Sequence, residues 1–356
     1  MIQYTPHASL LPHNTFGLSA EADLLVEYDQ EDDLIEIFND PRVKGRPFMH
    51  IGQGSNLLFT QDYSGVILHS RIKGIKISSQ TDDEQLIEVG AGERWDDVCQ
   101  WAADRGLYGI ENLSGIPGEA GAAAVQNIGA YGVEFKDVAM AVAVFDVQQG
   151  RHYIIGVEEC QYGYRTSVFK CPEFVSRFIV TSVLLRLKRK ADFNIGYGNI
   201  KAALLEKGYT LAQGEKKGLR HKSGGRPITL AAMRETVLGI RTAKLPDPAV
   251  YGNAGSFFKN PVITVTKYRA LVSQYPDLPK YDVDAGHVKV PAGWLIEHSG
   301  CSTRRIGDAA VYPRQCLVLV NMGKAKADEI VQLSKIIVQT IHERFDITIE
   351  PEVIFV

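Results

Sequence analysis

The run SGIPGEAGAAAVQNIGAYG at 114–132 constrains this chain more than any other part of its sequence. Glycines stand at 115, 118, 121, 129 and 132, and alanines occupy 122–124 between the third and the fourth. Removing side chains over such a length lets something large and flat lie against the backbone. A close contact between a helix and a strand explains three or four small residues well, but it does not explain a run of this length. We therefore interpret the run as a ligand surface.

A second glycine loop, GQGSN at 52–56, lies between the strand-like runs PFMHIG and GVILHS. Its glycines let backbone N–H groups turn toward an anion, while Ser55 and Asn56 add side-chain donors. Leu57 stands where a Rossmann motif has its third glycine, and no helix clearly opens there. Alone, the loop is explained as a tight turn. Together, the two segments favour a dinucleotide, with one loop for its phosphates and one for a planar ring system.

Apolar periodicity makes the fold α+β with several domains. A helical period links Leu24, Leu25, Ile35 and Phe38, and further helices are predicted at Trp95 to Arg105, Ile228 to Thr242 and Ala325 to Phe345. Strand-like runs dominate 72–187, and the C-terminal DITIEPEVIFV alternates like a strand in which Pro351 removes a ladder donor. Basic clusters at 188–190 and 215–227 indicate a linker or an exposed, solvated loop.

Composition excludes several classes of function. The 39 basic and 42 acidic residues leave a net charge of −3, so we expect neither a nucleic acid partner nor membrane insertion. Five cysteines without a C-x-x-C pair argue against a disulfide scaffold or a structural zinc site, and no metal is expected. The N-terminus has no signal-peptide pattern, and no run of 18 apolar residues occurs. We expect a cytoplasmic monomer.

Ser256, in NAGSFF, has no His or carboxylate close to it in the sequence, which argues against triad chemistry. Such a serine can still give a proton to a strongly basic carbon, like the one that hydride addition to an electron-poor alkene creates. That intermediate calls for cations, of which Arg165 and Lys244 are candidates. Glu350 and Glu352 are expected on one side of the last strand, and spacing does not tell them apart.

Seven motifs, in this order, resemble the UDP-N-acetylenolpyruvoylglucosamine reductases, which are flavoenzymes of peptidoglycan synthesis. They are GQGSNLL, SGIPGEAGAAAVQNIGAYG, YGYRTSVFK, KLPDPAVYGNAGSFFKNP, AGWLIEHSG, RQCLVLVN and EPEV, between Asn14 and Val356. Tyr197 in GYGNI resembles the substrate-covering tyrosine of the family's longer subtype. The resemblance implies three domains. Residues 1–72, joined by the tail 353–356, and residues 73–245 would bind FAD like the vanillyl-alcohol-oxidase-like (PCMH-type) flavoproteins, and residues 246–352 would bind the UDP-sugar.

The resemblance also implies the chemistry. NADPH reduces FAD and leaves, and the flavin then passes hydride from N5 to the alkene of the enolpyruvyl sugar nucleotide, giving UDP-N-acetylmuramate. Arg165 and Glu352 match the pair that stabilises the resulting enolate, and Ser256 matches its proton donor. Tyr197, Arg241, Lys244, Asn260 and Gln315 match residues that hold the substrate. The implied FAD-binding residues are Gly52, Gln53, Gly54, Ser55, Asn56, Ser114, Gly115, Ile116, Pro117, Gly118, Asn127, Gly129, Ala130, Tyr131 and Gly132.

The chain departs from the family pattern at Gln53, where a glycine is usual, in CSTRR at 301–305, and in the long basic stretch between Tyr197 and Arg241. Two other readings stay open from the sequence. One keeps the flavin but makes the protein an oxidase or dehydrogenase of the same fold. The other takes the glycine segments as the UDP-sugar site of a transferase or a non-catalytic binding protein, which leaves Arg165 and Ser256 unexplained.

Overall fold

The computed structural model describes residues 1–210 and 226–356, so most of the basic segment 215–227 lies outside the described residues. The chain forms two compact units, each assembled from three stretches of sequence. Unit 1 contains Met1–His7, Asp23–Gln53 and Ser64–Ala243, and unit 2 contains Ala8–Ala22, Gly54–Tyr63 and Lys244–Val356.

The helices in the described part of the chain are numbered in chain order. They are α1 Asp33–Asn39, α2 Trp95–Asp104, α3 Ala120–Gln126, α4 Pro172–Val175, α5 Ile200–Glu206, α6 Leu230–Lys244, α7 Val265–Val272, α8 Ala292–His298 and α9 Ala327–Phe345. Three of them, α2, α6 and α9, confirm the helices predicted from apolar spacing, to within two residues at each end.

The strands are numbered in the same way. They are β1 Gln3–Ser9, β2 Glu21–Tyr28, β3 Phe48–Ile51, β4 Leu57–Leu58, β5 Tyr63–Ser70, β6 Ile75–Gln80, β7 Glu84–Gly90, β8 Gly129–Ala130, β9 Val133–Glu134, β10 Ala139–Asp146, β11 Arg151–Gly156, β12 Phe178–Lys188, β13 Tyr209–Thr210, β14 Arg226–Pro227, β15 Val262–Thr264, β16 Tyr281–Asp282, β17 His287–Lys289, β18 Arg305–Ile306, β19 Ala309–Val311, β20 Leu319–Asn321 and β21 Ile354–Phe355.

Two sheets organise unit 1. A five-stranded antiparallel sheet has the order β11-β10-β12-β7-β6, and it confirms the strand-like runs predicted between 72 and 187. The other sheet has the order β1-β2-β5-β3, with β3 and β5 parallel; three of its strands begin or end in segments assigned to unit 2. The apolar faces of α2 and α3 pack against the five-stranded sheet, where Trp95 and Val183 are fully buried. This packing fixes the glycine-rich segment, because α3 lies inside it.

Unit 2 is built around α9. Its face Ile330, Leu333, Ile337 and Ile341 is fully buried, as the helical spacing predicts, against α8 and the three-stranded sheet β18-β19-β20. A second three-stranded sheet has the order β15-β17-β16. At the C-terminus, β21 pairs with β4 in parallel, joining Ile354 to Leu57.

Three predictions of local structure are wrong. Leu24 and Leu25 lie in strand β2, not in a helix; only Ile35 and Phe38 are helical, in α1. The terminal strand is only Ile354–Phe355, because Pro351 has no N–H to extend the ladder beyond a single bridge to Phe258. The basic region after 188 is not all linker, because Ile200–Glu206 forms helix α5 with Ile200 and Leu204 buried.

Candidate functional site

The glycine-rich segment of unit 1 gets its shape from left-handed backbone conformations. Positive φ angles occur at Gly115 (72°), Gly118 (120°), Asn127 (46°), Tyr131 (50°) and Gly132 (80°). Most side chains pay a steric penalty in this region, which explains the glycines better than a requirement for small size alone. Between these bends the small residues 120–126 form α3, whose inner face is buried. The segment is therefore a loop, a short helix and a second loop.

Asn127 holds the second loop in place. It ends α3 in the left-handed conformation, and its side chain is fully buried. Its Nδ2 group donates to Glu134 Oε2 at 3.0 Å and to the Gly163 carbonyl at 2.8 Å, while its Oδ1 accepts from the Lys136 N–H at 3.0 Å. Both amide protons are used within the protein. Neither amide proton of Asn127 is thus left for a cofactor.

Arg165 reaches this second loop from a tight turn. Gly163 and Thr166 exchange both backbone hydrogen bonds, so Tyr164 and Arg165 form the two-residue tip of a hairpin, and Arg165 has a φ of 57°. Its guanidinium Nη2 donates to the Gly129 carbonyl at 2.7 Å. Lys170 fixes the turn from behind, since its Nζ donates to the Arg165 carbonyl at 3.0 Å. The sequence did not predict the left-handed backbone of Arg165, which directs its side chain toward the second loop.

Tyr197 and Arg241 reach the same segment. A side chain at Gly132 would meet Tyr197 at 3.2 Å, so the tyrosine packs directly on that glycine. Arg241 Nε donates to the Gly115 carbonyl at 3.1 Å. Burial lowers the pKa of Arg241, nearby Tyr131 opposes that shift, and the charge of Arg165 adds to it. Two guanidinium groups therefore influence each other in a partly desolvated place, which suits an anionic ligand.

The first glycine loop, 52–56, has residues in both units: it belongs to unit 1 up to Gln53 and to unit 2 from Gly54. In unit 1, Gln53 Oε1 accepts the Gly118 N–H at 3.2 Å, so the residue that departs from the family pattern joins the first loop to the second. In unit 2, Gly54 has a φ of 65°, and a Cβ on it would lie 1.9 Å from the His13 carbonyl oxygen. Asn56 Nδ2 donates to the Glu352 carbonyl at 3.1 Å.

The backbone conformation of these glycine segments is suited to binding FAD. Gly54 tolerates no side chain, and the turns at Gly115, Gly118 and Gly132 need left-handed backbone. Such backbone can present N–H groups to phosphates and an uncluttered surface to a flat ring. The Gly115 N–H is already engaged, because it donates to Asp96, and the Ser114 hydroxyl is buried away from the surface. The Gly115 carbonyl accepts Arg241 Nε, so both polar backbone groups of Gly115 are used within the protein and the residue offers a cofactor only its surface.

Ser256 lies in an irregular segment of unit 2 that needs glycine at two points. A Cβ on Gly252 would lie 2.0 Å from the Phe16 carbonyl oxygen, and Gly255 has a φ of 68°. Asn253 Oδ1 accepts the Gly255 N–H at 2.9 Å, which closes the turn before Ser256. Ser256 then bridges to Val318, and the next N–H, that of Phe257, donates to the Leu317 carbonyl at 2.7 Å.

The structure separates Glu350 from Glu352, which spacing could not do. Glu352 is half-buried, and its N–H donates to the Phe257 carbonyl at 2.7 Å, one residue after Ser256. The Glu350 side chain is 73% exposed, with Lys259 Nζ 3.5 Å from its Oε2. Glu350 is the solvated member of the pair.

The predicted substrate residues of unit 2 divide between two places. Asn260 Oδ1 accepts the Ala292 N–H at 2.9 Å, at the start of α8. A side chain on Gly293 would meet Gln315 Oε1 at 3.5 Å, so Gln315 lies over the same turn of helix. Lys244, at the end of α6, is exposed. Within residues 1–210 and 226–356, no cluster of metal-ligating side chains occurs and no helix is long and apolar enough to cross a membrane.

Comparison with known proteins identifies the family. The model of the UDP-N-acetylenolpyruvoylglucosamine reductase C-terminal domain matches residues 247–356, and an FAD binding domain model matches residues 22–156. The UDP-N-acetylenolpyruvoylglucosamine reductase of Bacteroides fragilis (strain YCH46) is 44% identical over 348 residues, or 98% of each chain. The chain belongs to the UDP-N-acetylenolpyruvoylglucosamine reductase family. The enzyme of that name from Chromobacterium violaceum is 41% identical and covers 99% of this chain and 98% of its own.

A solved structure agrees at the level of fold. UDP-N-acetylenolpyruvylglucosamine reductase (MurB) from Thermus caldophilus matches with a TM-score of 0.66 and 23% identity, covering 100% of this chain and 98% of that one. The predicted family and fold class, with an FAD-binding unit and a C-terminal α+β domain, are confirmed. So is the prediction of a flavin-dependent oxidoreductase. The subtype, the boundaries at residues 72, 245 and 352, and the role of each site residue stay predictions.

Proposed function

We propose that this protein uses NADPH to reduce UDP-N-acetylglucosamine enolpyruvate to UDP-N-acetylmuramate, a precursor of peptidoglycan, in the cytoplasm. Relatives 41–44% identical over nearly the whole chain carry the reductase name. The observation that carries the proposal is a convergence in unit 1: Arg165, Tyr197 and Arg241, predicted from three separate motifs, all lie against the glycine-rich segment. The reading as a UDP-sugar transferase or binding protein leaves Arg165 and Ser256 unexplained.

FAD, when bound, supplies the hydride for the alkene. The residues that would hold it are the backbone of 52–56, 114–118 and 127–132, where left-handed conformations expose the chain. Gln53 ties two of these segments together through the Gly118 N–H. Its Nε2 group would donate to a cofactor phosphate while Oε1 keeps that bond, because the amide carries two donors of its own. NADPH as the electron donor follows from the family resemblance.

Arg165 and Arg241 would hold the negative charge of the substrate and of the enolate. Arg241 is buried enough for its pKa to be lowered, and Arg165 adds to that shift, so a bound carboxylate or phosphate relieves both effects. The hydrogen bond from Arg165 to Gly129 fixes the direction of its guanidinium before substrate arrives. A preorganised cation stabilises developing charge without reorganising during the reaction.

Ser256 would give its hydroxyl proton to the remaining carbon of the former alkene. The turn closed by Asn253 and the bridge to Val318 hold the residue in one backbone conformation. Glu352 lies on a neighbouring stretch, where its N–H donates to the carbonyl of Phe257, the residue after Ser256. Its carboxyl group would hold a proton or share one with the enolate. Lys244, Asn260, Gln315 and Tyr197 would bind the nucleotide and sugar groups.

Ser256→Ala tests the proposal. Reduction of the flavin by NADPH should stay normal, because it needs no proton from the serine. Turnover of the enolpyruvyl sugar nucleotide should fall by about 100- to 10,000-fold, the usual contribution of a positioned acid. Ser273→Ala is the matched control, since the Ser273 hydroxyl bonds only to the Ala270 carbonyl one turn back in an exposed helix end. Turnover of Ser256→Ala within a few-fold of wild type would rule out the serine as proton donor.

The visible spectrum tests the cofactor and the substrate separately from the serine. The purified protein should be yellow, bleach with anaerobic NADPH, and regain colour when UDP-N-acetylglucosamine enolpyruvate is added. Rapid reoxidation by oxygen without that substrate would favour an oxidase of the same fold instead. A colourless protein that binds UDP but not FAD would support the binding-protein reading.

A further inference from the structure

Gly115 is held from both sides. Its N–H donates to Asp96 Oδ1 at 2.6 Å, and its carbonyl accepts Arg241 Nε at 3.1 Å. The residue has a φ of 72°, and a Cβ on it would lie 2.8 Å from Leu238. The peptide groups on either side of Gly115 therefore have no freedom to turn without breaking a hydrogen bond to a charged side chain.

Asp96 does more than bind this N–H. Its carboxylate also forms a two-point pair with Arg234, with distances of 2.6 Å to Nη1 and 2.8 Å to Nη2. Arg234 Nε donates to Gln100 Oε1 at 2.7 Å, which completes a link between α2 and α6. The Arg234 side chain is only 9% exposed and that of Asp96 30%. A planar, paired contact of this kind fixes direction as well as distance.

The same face of α6 carries Arg234, Leu238 and Arg241. These residues are four and three positions apart, which places them one above another on a helix. Arg234 meets Asp96, Leu238 meets Gly115, and Arg241 meets the Gly115 carbonyl. Any rotation of α6 that frees Arg234 therefore also moves Arg241 and the glycine loop.

Burial alone raises the pKa of Asp96, but hydrogen bonds from Arg234 and from the Gly115 N–H bring the pKa below its usual value. The carboxylate is thus charged at neutral pH. Asp96 and Arg234 neutralise each other, whereas Arg241 keeps its positive charge for a ligand. The cluster therefore contains a structural ion pair, Asp96 with Arg234, and a cation, Arg241, whose charge a bound anion would neutralise.

We infer that Asp96 is a positioning residue that orients, through Gly115 and Arg234, both the backbone that lines the flavin and the arginine that binds the substrate. This inference rests on the proposed function, which gives Gly115 and Arg241 those roles. In this role Asp96 couples the two sites by holding the elements that carry them, through its bonds to Gly115 and Arg234. Loss of Asp96 should consequently weaken FAD binding and substrate binding together. Loss of Arg241 frees only the Gly115 carbonyl and leaves the bond from the Gly115 N–H to Asp96, so it should weaken substrate binding more than FAD binding.

The test compares Asp96→Ala, Asp96→Asn and Arg241→Gln. Asparagine keeps an oxygen for the Gly115 N–H but loses the charge and the second oxygen for Arg234. FAD affinity is measured by titrating the FAD-free protein and following flavin fluorescence. The KM and kcat for the enolpyruvyl sugar nucleotide are measured with FAD saturating. Asp97→Asn is the matched control, because Asp97 lies next in α2 with a side chain 64% exposed and 3.9 Å from Arg94.

We expect Asp96→Ala to weaken FAD binding and raise the KM by about tenfold or more each, the effect of losing one hydrogen bond to a charged group. Asp96→Asn should fall between it and wild type. Arg241→Gln should raise the KM by a larger factor than it weakens FAD binding, because Asp96 still holds the Gly115 N–H. The absorption band of bound flavin should shift in the Asp96 variants and not in Asp97→Asn.

Two results overturn the inference. One is a folded Asp96→Ala whose FAD affinity and KM lie within about twofold of wild type and whose flavin absorption band is not shifted. The other is a lower melting temperature with unchanged FAD affinity and KM in the folded fraction, which would make the cluster merely structural. If Asp96→Ala does not fold, Asp96→Asn decides by the same criteria. If the wild type binds FAD but does not turn over the sugar nucleotide, the proposed function fails, while the FAD titrations still judge Asp96.

Discussion

Gly54 offers a direct test of how the first glycine loop is built. A Cβ at this position would lie 1.9 Å from the His13 carbonyl oxygen and 2.7 Å from its carbon, so alanine forces backbone apart. The φ of 65° adds the cost of a left-handed conformation. Gly17 is a matched control, because its φ is 64° and nothing lies within 4 Å of its Cβ position. The two substitutions share the conformational cost and differ in the contact.

The magnitudes follow from these two terms. A side chain in the left-handed region costs about 1–2 kcal/mol, which should be the whole effect of Gly17→Ala. Displacing packed backbone adds about 1–3 kcal/mol, so Gly54→Ala should cost about 2–5 kcal/mol. Because His13 and Gly54 belong to the same unit, relief of the contact must move the loop that we propose to hold the FAD phosphates.

Urea unfolding of the FAD-free variants, followed by tryptophan fluorescence, measures the stability difference. Titration of the same proteins with FAD measures the effect on the loop, where we expect at least about a tenfold loss of affinity in Gly54→Ala and none in Gly17→Ala. If the two variants unfold at the same urea concentration and bind FAD equally, the close approach to His13 does not shape this loop and the reasoning is refuted.

Two further predictions concern side chains of unit 1. Asn127→Gly keeps the left-handed backbone but loses three hydrogen bonds, so it should lower the free energy of unfolding by about 2–5 kcal/mol in urea titrations; a loss below about 1 kcal/mol would contradict the role of Asn127 in holding the second loop. Burial lowers the pKa of His50 to about 3, with a further contribution from His69. Since the unfolded chain binds this proton near pH 6.5, His50 favours the folded state fully above that pH and progressively less as the pH falls toward 3. His50→Gln should therefore flatten the decrease of stability with pH in that window, and an unchanged slope in urea titrations at several pH values would show that His50 is not buried in its neutral form.

Long, strongly periodic elements could be predicted from sequence because local pattern decides them. The face of α9 and the run that becomes β7 bury residues at regular intervals, and the runs that become β10 and β12 are apolar along most of their length; the structure confirms these elements. Leu24 and Leu25 show the limit of this method. Their neighbours Ala22 and Val26 are also buried, and the pairing of β2 within its sheet decides for a strand where the apolar spacing was ambiguous.

The residues of the candidate site were predictable from the sequence, but the hydrogen bonds between them were not. The glycines at 115, 118 and 132 mark places where only a left-handed backbone will do, and the motifs around Arg165 and Ser256 carry the family resemblance. Nothing in the sequence pairs Asp96 with Arg234, 138 residues away. The spacing of Arg234 and Arg241 on one helix face was a usable signal, but it does not say what either residue contacts.

By itself, the sequence determined the family, the α+β class, the flavin cofactor and the segments from which a site would be drawn. The fold class and the site segments follow from periodicity and glycine placement, and the family and its flavin follow from the resemblance that the succession of motifs carries. Only the tertiary structure decided that Glu350 is solvated, whereas the Glu352 N–H donates to the Phe257 carbonyl. It also decided that the Asn127 side chain bonds within the protein. It decided, finally, that Gly115 is held between Asp96 and Arg241. The physical reason is that hydrogen bonds and burial depend on which distant residues meet, and that is settled only when the chain folds.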